Sequence, residues 1–532
     1  MNHRKEFERC APEEVGIASE GILRLIDRLE NCGSTWMHGL MIMRHDKVCA
    51  EGWWAPFAPE LHHALHSLSK TWTATAVGLA EYEGLLKMDD PVCKLLPDKM
   101  PTPLPERVVR ITVRDILTMS SGSETQGSTY GEHWMEEFFA RPFEHEPGTF
   151  WCYNSQGTAI ASALVERVTG MSMLEYLDAR LFRKIGVDAS HVMCYRDAAG
   201  TCLGGHGMFT TTEDNLRLMR LYLHKGVWNG ERLLHERFVN EATSPLMDTA
   251  PAHAHTPWIY DNQVGYGYQI WMCRPEGSYR ADGAYGQFCV VVPKLDLIVS
   301  INEGAYIGQH MSHNELEQLK GRPIGEDHPV HGPQNTLNIL FDTLLPAITE
   351  GDEPLPFSDT SRLLKERMSR LSMPRPATQV LDRSNHPLHG TLVPEEGRIT
   401  FAMLHGMDKH NAPWPGVDQM HLATDEEGLL TITFTEGGTD RIIRFDLRGG
   451  RWLGKLRYTE NRELVSDVAC AAWWSEENKL ELSILWYETE GENRFTFTFE
   501  GKHVRIHKWV QAGMEDEMQH RDAVYKVVEE NA

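Results

Sequence analysis

From about residue 378 onward the apolar residues fall on every second position, and that periodicity leaves few folds open. Leu430, Ile432 and Phe434 alternate with threonines, an EGG turn follows, and Ile443, Phe445 and Leu447 continue beyond it. Phe495, Phe497 and Phe499 alternate in the same way, and Glu500-Gly501-Lys502 turns the chain into Val504 and Ile506. Alternation puts one side-chain face on a core and the other in water, so successive hairpins predict an antiparallel barrel or sandwich over residues 378–532. The acid-rich stretch from Glu515 to Glu530 reads differently, as a solvated C-terminal helix.

The earlier residues follow another pattern. Residues 21–30 have the spacing of an amphipathic helix, and Leu40 to Val48 reads as a strand interrupted by a His-Asp turn. Leu68 to Leu86 is Ala-rich and helical. Thr112 to Met119 begins a further helix, with Thr112 as N-cap and Asp115 at its third position. Thr158 to Thr169 and Glu213 to His224 are helical, whereas Tyr266 to Met272, Phe288 to Val292 and Leu297 to Ile301 are strand-like. Helices flanked by early and late strands imply an α+β domain whose sheet joins both ends of the region. A chain of 532 residues exceeds one ordinary core. The polar, proline-bearing GDEPLPFSDTS near residue 350 marks the division: a first domain over 1–350, a linker over 351–377 and the β-rich domain after it.

The net charge of -24 argues against nucleic acid or an anionic membrane as partner through a general electrostatic field. No apolar run is long enough to span a bilayer, and the first 30 residues lack the apolar core of a secretory leader. Ten cysteines are scattered without CxxC pairs, which suggests reduced thiols and a cytoplasmic setting. His253 with His255, and His310 with His313, lack an HExxH context and read as surface or loop histidines, so no metal is expected. Gly265-Tyr-Gly-Tyr268 has neither GxGxxG nor Walker spacing, and no cofactor is expected.

The sharpest chemical signal is His66-Ser67-Leu68-Ser69-Lys70-Thr71-Trp72. Ser67 alone among the serines has a lysine three positions later. On a helix that spacing puts hydroxyl and amine on one face, a turn apart. A buried lysine loses its proton readily and can then accept the serine proton, making a nucleophile. By itself an SxxK is expected about once by chance in a chain this long.

Its company is more specific. Residues from about 12 to 305 resemble the serine β-lactamases, penicillin-binding proteins and related esterases, whose SxxK serine opens a long helix. Ile111 to Gly122 is similar to the family's ITVRDLLTHTSG segment, Pro147 to Gly157 to PGxxxxYSNxG, Gly204 to Asp214 to GGLxSTAxD, and Asn229 to Leu234 to NGKxIL. The resemblance implies a β-lactamase/transpeptidase-like catalytic domain: an antiparallel sheet with helices on one side and a helical subdomain on the other. It makes Ser67 the acylated nucleophile, Lys70 its activating amine and Tyr153 a proton relay, with Lys70 favouring the phenolate by charge. Many relatives read Tyr-x-Asn where this chain reads Tyr153-Asn154-Ser155, so either Asn154 or Ser155 fills the polar substrate-binding place. The third motif falls on Ala281-Asp282-Gly283, with Gly283 and Tyr285 beside the substrate and the N–H groups of Ser67 and Ala284 as oxyanion hole. Ala281 lacks the family's Lys or His, and Tyr285 or Arg280 are the candidates to replace it. That absence favours a neutral ester or amide of a small molecule. β-Lactam hydrolysis, D-amino-acid peptide cleavage or transesterification on the same site is the first alternative. A ligand-binding or regulatory protein that turns over poorly is the second. Self-association stays open.

Overall fold

Strand β1 (Glu8–Arg9) lies parallel to β3 (Lys47–Trp53), which the His45-Asp46 turn joins to β2 (Met37–Arg44). Both turn residues sit at positive φ, 52° and 61°, the geometry that lets a two-residue turn follow the twist of its strands. The computed structural model describes residues 6–32, 34–129, 131–256, 259–305, 331–349, 351, 353–373, 381, 388–401, 416–436, 438–448, 452–457, 467–511 and 521–528.

Four later strands complete the first sheet: β4 (Trp271–Met272), β5 (Tyr279–Gly283), β6 (Gln287–Val292) and β7 (Leu297–Glu303). The order is β1-β3-β2-β7-β6-β5-β4, so the early hairpin and the late meander meet where β2 pairs with β7. The expected union of both ends of the region is present. The sheet is mixed because of the β1–β3 pair, and antiparallel elsewhere. The stretch from Tyr266 to Met272 contributes only Trp271–Met272 as strand. Gln269, at φ 57°, turns the chain there, and its buried side chain bonds the Ile116 and Leu117 carbonyls.

Helix α1 (Ser19–Asn31) packs against α6 (Gly332–Thr343) and α7 (Asp359–Met368). Within the 351–377 stretch read as linker, α7 is thus a ten-residue helix with Leu364 buried. On the other side α2 (Ser69–Tyr82) packs against α4 (Ser155–Thr169), which also meets the short α3 (Val113–Leu117). Thr112 and Asp115 form the expected capping box on α3. Helix α5 (Thr212–Leu223) lies on β7, β6 and β2.

Helix α2 is buried nearly all round, yet Ser69, Thr71, Thr73 and Thr75 line it. Each hydroxyl is paired: Ser69 accepts from Met208 N, and Thr71, Thr73 and Thr75 donate to the carbonyls of Gln269, Gly204 and Thr71. Paired in this way, buried polar groups avoid the cost of lost hydration and instead fix one register of the helix.

The second unit takes in Trp54–Ala58 and the residues from Ser372 onward. Its ten strands form one antiparallel sheet: β8 (His389–Glu396), β9 (Val417–Thr424), β10 (Leu429–Glu436), β11 (Thr439–Asp446), β12 (Leu453–Arg457), β13 (Asp467–Glu476), β14 (Lys479–Trp486), β15 (Glu492–Glu500), β16 (His503–Gln511) and β17 (Arg521–Val528). The order is β11-β10-β9-β8-β17-β16-β15-β14-β13-β12, and β11 approaches β12 and β13, so the sheet curls into a near-barrel rather than a two-sheet sandwich. Leu430, Ile432, Phe434, Phe495, Phe497, Val504 and Ile506 fill its core, as their alternation required. The predicted C-terminal helix is wrong: Arg521–Val528 is strand β17, with Ala523 and Tyr525 inward, while residues 515–520 lie outside the described ones. Charge masked a period-two pattern there.

The first unit's core should be sensitive at Trp72, which is fully buried, bonds Asn215 Oδ1 at 3.1 Å and packs edge-on against Phe182 at 5.6 Å. Trp72→Ala is expected to lower this unit's stability by about 3–5 kcal/mol, leaving a cavity and removing one of the two donors to Asn215 Oδ1, with Thr210 Oγ1 remaining. Chemical denaturation followed by circular dichroism and by near-ultraviolet signal checks it. An unshifted first transition would show that the site collapses around the missing ring.

Candidate active site

Ser67 sits in a 3-10 turn, His66–Leu68, that runs straight into α2, so the SxxK spacing survives although the serine precedes the regular helix. His66 enters the turn at φ 47°. Lys70 Nζ lies 3.0 Å from Ser67 Oγ and 3.0 Å from Ser155 Oγ, and it also donates to the Gly205 carbonyl. The lysine is 1% exposed. Burial drives its proton affinity down to about 7, and the nearby Asp282 charge works in the opposite sense.

The Gly205 carbonyl comes from a loop pressed onto the two helices. A Cβ on Gly204 would lie 2.3 Å from Thr73 Oγ1, and one on Gly205 would lie 2.6 Å from the Ser155 carbonyl. Two glycines are therefore what lets this backbone reach the lysine. Of the two candidates in the second motif, Ser155 is the one that touches Lys70. Asn154 caps α4 instead, its Oδ1 accepting from Gly157 N at 3.2 Å and its Nδ2 donating to the Thr125 carbonyl at 3.3 Å.

Tyr153 places its phenol against the Ser67 hydroxyl, with Lys70 Nζ 4.9 Å from its ring centroid. Burial raises its proton affinity far above the ordinary phenol, outweighing the Ser67 contact, and Asp282 adds to the rise. The free phenol is thus an O–H donor at neutral pH, and Lys70 is the group poised near neutrality.

Strand β5 passes directly beside the nucleophile turn. A Cβ on Gly283 would lie 2.1 Å from the Leu65 carbonyl and 3.1 Å from Leu68 N, so only glycine permits that approach. Ala284 follows in a short turn through Gly286. Tyr285 is 5% exposed at φ 63°, its ring edge-on to His66 at 5.0 Å, so it braces the turn. Ala281 is fully buried in the helix-side core. On the opposite face of the strand Arg280 Nε donates to Asp282 Oδ2 at 2.6 Å. Arg280 is itself held by the Asp261 and Met272 carbonyls and by Asn262 Oδ1.

An aromatic wall stands beside Tyr153, and the sequence reading did not gather it. Tyr153 stacks on Trp271 at 5.8 Å and 20°, Tyr266 meets Trp271 at 4.8 Å, and Trp151 lies 5.5 Å from Trp271. His253, read as a loop histidine, packs 5.7 Å from Trp151 and 5.8 Å from Trp271. Tertiary packing alone assembles these residues, which are spread over more than 100 positions. His310 and His313 lie outside the described residues. Among the described residues no three of His, Cys, Asp or Glu stand together as metal ligands, and no helix is long and apolar enough to cross a membrane.

The β-lactamase family model matches residues 30–302. The 6-aminohexanoate-dimer hydrolase of Paenarthrobacter ureafaciens is 25% identical over 300 residues, 52% of this chain and 74% of that protein. The lovastatin esterase of Penicillium rubens is 25% identical over 217 residues, 30% of this chain and 54% of the esterase. The structure of the octameric penicillin-binding protein homologue from Pyrococcus abyssi aligns over 95% of this chain and 98% of that one, with a TM-score of 0.42 and 14% identity. The family match spans the sheet from β2 onward, α2, α4 and the turn that carries Ser67 and Lys70. The chain belongs to the β-lactamase family of serine hydrolases.

Proposed function

We propose that the protein hydrolyses an ester or amide bond of a small molecule through an acyl-enzyme on Ser67. The observation that carries this reading is the Lys70 amine, buried and 3.0 Å from Ser67 Oγ, where burial lowers its proton affinity to about 7. As the free amine it accepts the Ser67 proton while Oγ attacks the carbonyl carbon. The backbone N–H groups of Ser67 and Ala284 take the developing oxyanion. Tyr153 donates its phenolic proton to the departing oxygen or nitrogen and regains one from the Lys70 ammonium. Water then attacks the acyl-enzyme, the same groups work in reverse, and Ser67 recovers its proton. Ser155 and the Gly205 carbonyl hold the amine in place throughout. The relatives named as a hydrolase of 6-aminohexanoate dimer and as a lovastatin esterase are consistent with this class.

Intact-protein mass after treatment with a fluorophosphonate probe tests the nucleophile. One adduct is expected on the wild type and none on Ser67→Ala, whose p-nitrophenyl acetate turnover should fall roughly a thousandfold or more. An adduct that persists in the variant would overturn the assignment.

The pH profile tests the base. Because Lys70 acts only when unprotonated, kcat/KM should rise with pH through an apparent pKa near 7. Asp282 holds that value up by attracting the ammonium, so Asp282→Asn should move the acid limb to lower pH. An acid limb that stays in place, or moves up, would exclude the coupling.

A further inference from the structure

The third-motif strand lacks the cation that the family resemblance leads one to expect and carries an acid at the next position. Ala281, at the cation's position, is sealed in the core and can offer nothing to a ligand. The charged pair on the other face of β5 is unequal in exposure: the Arg280 side chain is 1% exposed and that of Asp282 is 22%. Arg280 also donates to Asp261 O, Met272 O, Cys273 Sγ and Asn262 Oδ1, and its guanidinium lies 5.6 Å from the Trp271 ring centroid. Asp282 uses Oδ2 for Arg280, while Oδ1 has no protein donor among the described residues. A ligand beside Ser67 therefore meets a carboxylate oxygen and not the arginine behind it. The strand places that oxygen one residue from Gly283, whose backbone brushes the nucleophile turn. Tyr153, stacked on the buried Trp271, adds apolar ring surface for the acyl chain on the same side.

Resting on the proposed acyl-enzyme reading, we propose that the site selects ester or amide substrates whose acyl group carries a cationic nitrogen a few atoms from the scissile carbonyl, with Asp282 as its counter-charge. An anionic acyl group would face Asp282 unpaired, and the buried Arg280 cannot turn to meet it, so the same residue rejects acids. A neutral acyl group gains only the aromatic contact.

The test uses the full chain and p-nitrophenyl esters of matched shape. Trimethylammonio-alkanoyl esters, with two to four methylene groups between carbonyl and nitrogen, are compared with their carbon isosteres ending in tert-butyl. Hemi-ester dicarboxylates of equal length are the third member, and every rate is corrected for spontaneous hydrolysis. The cationic ester is expected to exceed its isostere in kcat/KM by on the order of tenfold or more at one chain length, and the anionic ester to be slowest. Asp282→Asn, which keeps an acceptor for Arg280, should bring the cation-to-isostere ratio to about one, whereas Asp282→Glu should retain a preference. If Ser67 takes up the fluorophosphonate but the three charge classes react alike, or the anion reacts fastest, the inference is wrong and the acyl-enzyme reading stands. Absence of any Ser67 adduct overturns both.

Discussion

Everything in the site depends on one amine being kept out of water. Lys70 occupies the interior between α2, α4 and the Gly204–Gly205 loop, with three oxygens around it and no carboxylate in contact. A partner carboxylate there would pin the ammonium form, as ion pairs ordinarily do. Neutral oxygens accept its protons without that penalty, so burial prevails and the amine stands near neutrality. The paired hydroxyls along α2 serve the same end, since their bonds go to neighbouring backbone groups and not to the lysine.

The same burial acts with opposite sign on the phenol. Both Lys70 and Tyr153 lose hydration, but the lysine's charged form is the protonated one and the tyrosine's is the deprotonated one. One environment thus pushes the two proton affinities apart. In the proposed mechanism that split distinguishes the base from the acid, and Asp282 raises both affinities. It also reverses the expectation that Lys70 would favour the phenolate.

How much was legible from the chain follows from how local each feature is. The Ser67–Lys70 pair depends on a single helical turn, and the Thr112–Asp115 cap on another, so spacing raised both, and the family-like segments around it singled out the serine–lysine pair. Ser155 and Asn154 could not be separated, because the answer depends on where α4 starts: Asn154 is consumed as its cap, and the hydroxyl after it faces the lysine. The Gly205 carbonyl is a backbone atom and leaves no mark except the paired glycines that let it approach. The aromatic wall leaves none at all, since Trp151, His253, Tyr266 and Trp271 meet only through the tertiary fold. In the second unit, alternation of apolar residues gave the β10–β11 and β15–β16 hairpins directly and did not single out the other strands; at β17 acidic composition outweighed the two inward positions Ala523 and Tyr525.

The strand at the site's edge shows why a motif position and a chemical role can part company. A residue on β5 faces either the helices or the opposite side, and Ala281 shares its face with Gly283, which must stay bare for the nucleophile turn to pass. With the cation absent there, charge on this edge moves to the alternate positions, Arg280 and Asp282, two residues apart and therefore on one face. Their order along the strand decides which is reachable. Arg280 lies where β4 pairs with β5 and is covered, whereas Asp282 lies beyond the end of β4, on the part of the edge left unpaired. Two residues of length in β4 thus determine the sign of the charge that this edge presents.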